Sequence, residues 1–184
     1  LVRGNVNEHG ILYPAEVLDE ILSGALQAAQ VYRPDSLGQG VARQAIAQYY
    51  GTLGISPDHV IVTPGTSISY WYCFKLLAEQ GDEILCPQPS YPLFDYIARL
   101  CGVELKHYRL SESDDWAIDF EHLENQITSR TRAIVLISPH NPTGMVFSWF
   151  YAAVIDSKVG TKFKRCFDNI TSIPYVFKDS IPYP

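Results

Sequence analysis

The run Ala133-Ile-Val-Leu-Ile-Ser138 constrains this chain more than any other stretch. Five of its six residues are apolar, and Pro139, Asn141, Pro142 and Gly144 end it abruptly. That pattern predicts a short buried strand stopping in a polar turn. In an open α/β sheet, ligands bind beyond the carboxyl ends of the strands, so both His140 and Asn141 are expected to project into a crevice and not into the core.

Upstream, the same alternation recurs. Helical spacing predicts a helix from Pro14 to about Ala29, a loop through Pro34 and Gly38, and a helix from Val41 to Tyr50. Gly38-Gln-Gly40 is not a dinucleotide fingerprint, because Arg43 occupies the third glycine position and no strand precedes it. His59 to Thr63 reads as a β-branched strand, followed by Pro64-Gly65 and a helix from Thr66 to Gln80. Strand, glycine, hydroxyl residues and helix in that order make an anion site, with Gly65, Thr66 and Ser67 as the candidates. The alternative is that Thr66 or Ser67 caps the helix. Glu83 to Cys86 and Val103 to Leu110 read as strands, and Leu93 to Leu100 and Asp119 to Ile127 as helices. Trp149 to Ile155 reads as a further helix and Lys164 to Phe167 as a strand running into Asp168. Strands alternating with helices imply a three-layer α/β/α fold on a largely parallel sheet.

Composition narrows the function classes. With 47% hydrophobic residues, 184 residues bury one substantial core. Fourteen basic against 20 acidic residues give a net charge of -6, which argues against nucleic acid or an anionic membrane as principal partner. The start of the chain lacks a signal-peptide pattern, and no apolar run approaches the roughly 18 residues that cross a bilayer, so a cytoplasmic protein is expected. Cys73, Cys86, Cys101 and Cys166 have no Cys-x-x-Cys spacing and read as buried reduced thiols; the five histidines form no zinc-like pair, and no metal is expected.

Four segments, in order, resemble the fold-type I pyridoxal-phosphate (PLP) enzymes of the class I and II aminotransferase group, the aspartate aminotransferase-like family. They are Tyr32-Arg-Pro-Asp-Ser-Leu-Gly38 with Arg43-Gln-Ala-Ile-Ala-Gln-Tyr-Tyr50; Thr63-Pro-Gly-Thr-Ser67; Gly81-Asp-Glu-Ile-Leu-Cys-Pro-Gln-Pro-Ser-Tyr91-Pro92; and His140-Asn-Pro-Thr-Gly144, followed 27 positions after Asn141 by Asp168 (168 minus 141). The resemblance implies a PLP-binding large domain over residues 31–184, preceded by an N-terminal arm and first helix over 1–30. It implies that Gly65, Thr66 and Ser67 cradle the cofactor phosphate, Tyr91 stacks on its ring, Asn141 bonds the ring hydroxyl and Asp168 holds the pyridine nitrogen protonated. Tyr32 resembles the tyrosine that reaches the neighbouring subunit's phosphate in family homodimers. For Tyr91 and Tyr32 the alternative is ordinary core packing.

Departures accompany the match. Thr171 replaces a tyrosine expected to share the ring hydroxyl, and Val6 stands where proline would follow Gly4 in the substrate arm. No Ser-x-x-Lys segment occurs, and Lys158, Lys162, Lys164 and Lys178 lie in other contexts. The implied reading is an aminotransferase working on an amino acid and a 2-oxo acid, present as a fragment without its Schiff-base lysine and small domain. A lyase, synthase or racemase of the same fold, a PLP-sensing regulatory domain and an inactive remnant are the alternatives.

Overall fold

The computed structural model describes residues 5–51 and 54–147. Gly4, Asp168, Thr171, Cys166, the four lysines beyond residue 150 and the expected 149–155 helix and 164–167 strand lie outside them. The chain divides into two units, Leu1–Val62 and Thr63–Pro184.

The first unit holds helices α1 (Ala15–Ala29) and α2 (Gly40–Tyr49) and a 3-10 turn at Pro57–His59. Pro14 sits just outside α1, where its missing N–H costs nothing. The helix is amphipathic as expected, yet Val17, Leu18, Ile21, Leu22 and Leu26 are all exposed. Arg43 ties the unit together: its guanidinium donates to the carbonyls of Gly38 (3.1 Å) and Pro57 (2.9 Å) and lies 3.5 Å from Asp35 and 3.6 Å from Asp58. Gly38 has φ +93°, and a Cβ there would come within 2.5 Å of Val62 Cβ, so only glycine fits. The expected strand from His59 to Thr63 does not form. His59 belongs to the 3-10 turn, Val60 alone of the segment is buried, and Val62 N donates to Leu37 O (2.8 Å) in an isolated loop contact. A β-branched run needs a neighbouring strand to become a ladder, and none pairs with it among the described residues.

The described residues of the second unit form a four-stranded sheet in the order β3-β2-β1-β4, with β1 Glu83–Gln88, β2 Glu104–Ser111, β3 Ala117–Ile118 and β4 Thr131–Ile134. β1 pairs in parallel with β2, from Glu83 opposite Glu104 to Gln88 opposite Arg109, and with β4. Among the described residues three helices accompany it: α3 (Thr66–Leu77), α4 (Phe94–Cys101) and α5 (Phe120–Gln126). Side chains alternate across a strand, and β1 uses both faces. Ile84 and Cys86 pack with Phe74 of α3 and Phe94, Ile97, Ala98 and Cys101 of α4; Leu85 packs with Tyr108, Leu110, Leu123 of α5 and Phe147. This is the three-layer arrangement expected, with one antiparallel departure. Short β3 runs against β2 after the turn at Glu112–Asp114, and two residues carry too little alternation to be seen in the sequence.

β4 is shorter than the apolar run suggested, although Val135 N continues the pairing to Leu85 O (2.8 Å). α5 begins one residue after Asp119, whose carboxylate accepts from His122 N (2.9 Å) as an N-cap. Among the described cysteines, Cys86 and Cys101 are buried thiols as expected; Cys73 is exposed, because it lies on α3 away from the side that carries Phe74 into the core.

At the amino end of β1 the fully buried Glu83 is surrounded by Arg130 (2.6 Å), Lys106 (3.2 Å), Thr128 Oγ1 (2.6 Å) and Thr131 Oγ1 (3.3 Å). Burial raises its pKa, but the Thr128 and Lys106 hydrogen bonds and the Lys106 and Arg130 charges outweigh that and hold it below the ordinary 4.5. A depressed carboxyl stabilises above its unfolded pKa and loses that contribution as pH falls through the folded value. Glu83→Ala should therefore lower unfolding free energy by about 3 kcal/mol at pH 7 in urea titration. The gap between wild type and Glu83→Gln should narrow as pH drops below 4.5; a gap unchanged in acid would contradict this account.

Candidate functional site

The carboxyl ends of β1 and β4 and the amino end of α3 converge on one cleft. It has a volume of about 220 Å³ and is lined by Thr66, Tyr70, Tyr91, Ile137 and Asn141. Each wall has a local cause. Gly65 is the N-cap of α3 and offers no side chain, and no side-chain capping bond is made there. Ile68 N and Ser69 N both donate to Gly65 O (3.0 and 3.2 Å), which leaves the Thr66 and Ser67 amides as first-turn donors with no acceptor inside the helix. The capping alternative for Thr66 and Ser67 thus does not hold. Thr63 Oγ1 instead spans the turn, 3.2 Å from Gly65 O and 2.7 Å from Ser69 Oγ.

Tyr91 follows the end of β1. Its hydroxyl lies 3.4 Å from Ser67 Oγ, so the hydroxyl pair joins the helix start to the strand end. Its ring meets Phe94 edge-on at 5.5 Å and Tyr70 at 6.2 Å, while Tyr70 meets Phe94 edge-on at 4.8 Å. Edge-to-face contacts of this kind fix ring planes as well as positions. Tyr91 is thereby half-buried on Phe94 with its hydroxyl left toward the cleft. Burial, then the neighbouring Tyr91, raises the Tyr70 pKa, so the Tyr70 phenol stays a neutral hydrogen-bond donor.

Asn141 is exposed and lines the cleft. His140 was expected there too and is not: it is 2% exposed, with its ring 6.2 Å from that of Phe147. Its Nδ1 lies 2.9 Å from Thr143 Oγ1, a bond that turns the ring inward, and burial depresses its pKa. Tyr32 is 89% exposed, which removes core packing as its explanation within the first unit. Tyr70 and Ile137 are the lining residues not singled out from the sequence. Tyr70 was within reach of a spacing argument, since it stands one helical turn after Thr66; Ile137 lies in the apolar run and gave no separate signal. Neither lysine among the described residues, Lys75 or Lys106, lines the cleft.

Phe94 is fully buried at the centre of this aromatic wall, so Phe94→Ala should cost about 4 kcal/mol by chemical denaturation and weaken the near-ultraviolet dichroism of the tyrosines. Wild-type stability in that variant would remove the wall's dependence on Phe94.

The family model for aminotransferase class I and II matches residues 7–149. The glutamate-pyruvate aminotransferase AlaA of Escherichia coli (strain K12) is 37% identical over 148 residues, which are 79% of this chain and 36% of that protein. An alanine aminotransferase of Mycobacterium tuberculosis (strain ATCC 25618 / H37Rv) is 36% identical over 149 residues, 79% of this chain and 34% of that protein. An aminotransferase structure from Escherichia coli superposes with TM-score 0.77 at 34% identity, covering 86% of this chain and 39% of the other. The alanine aminotransferase from Pyrococcus furiosus gives 0.73 at 32%, covering 82% and 39%. The chain spans little more than a third of the relatives it matches, and over that span it belongs to the class I and II aminotransferases.

Proposed function

We propose that this chain supplies the cofactor-binding part of a PLP-dependent aminotransferase that moves an amino group between an amino acid and a 2-oxo acid. The observation that carries the proposal is the convergence of the Thr66–Ser67 helix start, the Tyr91 ring and Asn141 on one cleft. The residues fit the group. A phosphate matches the uncapped amides and two hydroxyls at the α3 start, where the helix dipole also favours negative charge. An aromatic pyridine matches the Tyr91 face, and its ring hydroxyl matches the Asn141 amide as hydrogen-bond donor.

When bound, PLP supplies an electron sink for the substrate's α-carbon. The chain's own residues hold it: Gly65, Thr66 and Ser67 bind the phosphate, Tyr91 orients the ring and Asn141 donates to the ring oxygen. Asp168 keeps the pyridine nitrogen protonated, and Thr171 takes the motif position of the tyrosine that shares the ring hydroxyl with Asn141. Gly4 belongs to the substrate arm. Tyr32, exposed in its own unit, reaches the phosphate of a second subunit in a homodimer. The relatives named for alanine, glutamate-pyruvate and tyrosine transamination support an amino acid and a 2-oxo acid as substrates.

Binding is tested with pyridoxamine 5'-phosphate, whose amine cannot condense with surface lysines. Each charge-assisted hydroxyl bond contributes about 1.5 kcal/mol, or roughly tenfold. Thr66→Ala with Ser67→Ala should therefore weaken the ligand by about one to two orders of magnitude. Unchanged affinity would remove the phosphate assignment. In the complete enzyme, Asp168→Asn should retain the cofactor and lose most turnover, because its charge matters most as the carbanion develops; equal rates would show that another group protonates the ring.

A further inference from the structure

Asn141 is exposed in the cleft, and the bonds that hold its turn all belong to its neighbours. His140 N donates to Met145 O (2.7 Å), Gly144 N to His140 O (2.7 Å) and Met145 N to Thr143 Oγ1 (3.3 Å). The remaining link is between side chains, from His140 Nδ1 to Thr143 Oγ1 at 2.9 Å. It spans the two residues that flank Asn141-Pro142. The His140 ring is 2% exposed, beside Phe147, and its Nε2 is buried with no hydrogen-bond partner among the described residues. A ring that reaches solvent through neither nitrogen cannot bind cofactor or shuttle a proton into the cleft. It can hold the turn.

We propose that His140 is a positioning residue: its neutral imidazole, bonded to Thr143, closes the 140–144 turn and so sets where Asn141 meets the ring hydroxyl of the cofactor. This rests on the reading that PLP occupies the cleft. The neutral form follows from the surroundings, since a charged ring would place an unpaired cation beside Phe147. The depressed pKa has the same cause, burial. The Thr143 hydroxyl is the natural donor to Nδ1, because it already accepts from Met145 N.

The action through Asn141 separates this role from a general structural one. In the 184-residue chain, two ligands are titrated: pyridoxamine 5'-phosphate, which needs both the α3 start and Asn141, and inorganic phosphate, which needs only the α3 start. His140→Leu should weaken pyridoxamine 5'-phosphate about tenfold and leave inorganic phosphate unchanged. Thr143→Val should do the same. His140→Asn places a polar atom where Nδ1 stood and should restore most of the affinity. In an Asn141→Ala background, His140→Leu should cost nothing further. Wild-type affinity in His140→Leu would overturn the inference, and so would equal loss of both ligands, which marks a folding defect. If the unaltered chain bound neither ligand, the functional reading itself would fall, and this inference with it.

Discussion

The second unit depends on one strand that is buried on both faces and has a different chemistry at each end. Ile84, Leu85, Cys86 and Pro87 are all buried, so β1 can stand only in the middle of a sheet with helices above and below. Its amino end is fixed by a buried carboxylate that meets two cations and two hydroxyls. Its carboxyl end runs out at Gln88-Pro89-Ser90-Tyr91, beside the end of the neighbouring parallel strand. Parallel pairing forces the carboxyl ends of β1 and β4 to the same edge, and that is why Tyr91 and Asn141, 50 positions apart, face one cleft.

Polar groups are therefore sorted by which end of the sheet they occupy. Asp82 and Glu83 are both consumed by structure: beside the Glu83 cluster, Asp82 holds Arg132 (3.1 Å) and accepts from Glu79 N (3.0 Å). Arg43 in the first unit is likewise a staple for two loop carbonyls and two carboxylates. At the opposite edge the polar groups are left with spare capacity. Thr66 at the α3 start, Tyr91 and Asn141 line a cleft there, with the Ser67 hydroxyl 3.4 Å from that of Tyr91.

Much of this was legible in the sequence, and the reasons differ by residue. The α/β/α order followed from helical and strand spacing, and the uncapped start of α3 followed from Pro64-Gly65-Thr66-Ser67, because a glycine before a helix start offers no side chain to the first amides. Two readings failed for a common reason. The segment His59 to Thr63 has strand propensity but no pairing partner, and His140 has a polar side chain but a bond to Thr143 that turns it inward. Propensity and polarity describe a residue alone, whereas pairing and direction depend on what lies opposite. Tyr70 was within reach of helical spacing from Thr66, but the edge-on contact with Phe94 that fixes its ring joins residues 24 positions apart and could not be read from the sequence.

The central claim is that the uncapped start of α3 and the Asn141 turn receive one ligand together. Hydrogen–deuterium exchange of the chain with and without pyridoxamine 5'-phosphate tests it most directly, since first-turn amides with no acceptor exchange freely until a phosphate accepts from them. The account predicts that the ligand slows exchange at Thr66 and Ser67 and in the 140–144 turn, with little change at the Glu83 end of β1. Protection confined to other segments, or none at a saturating concentration, would contradict it.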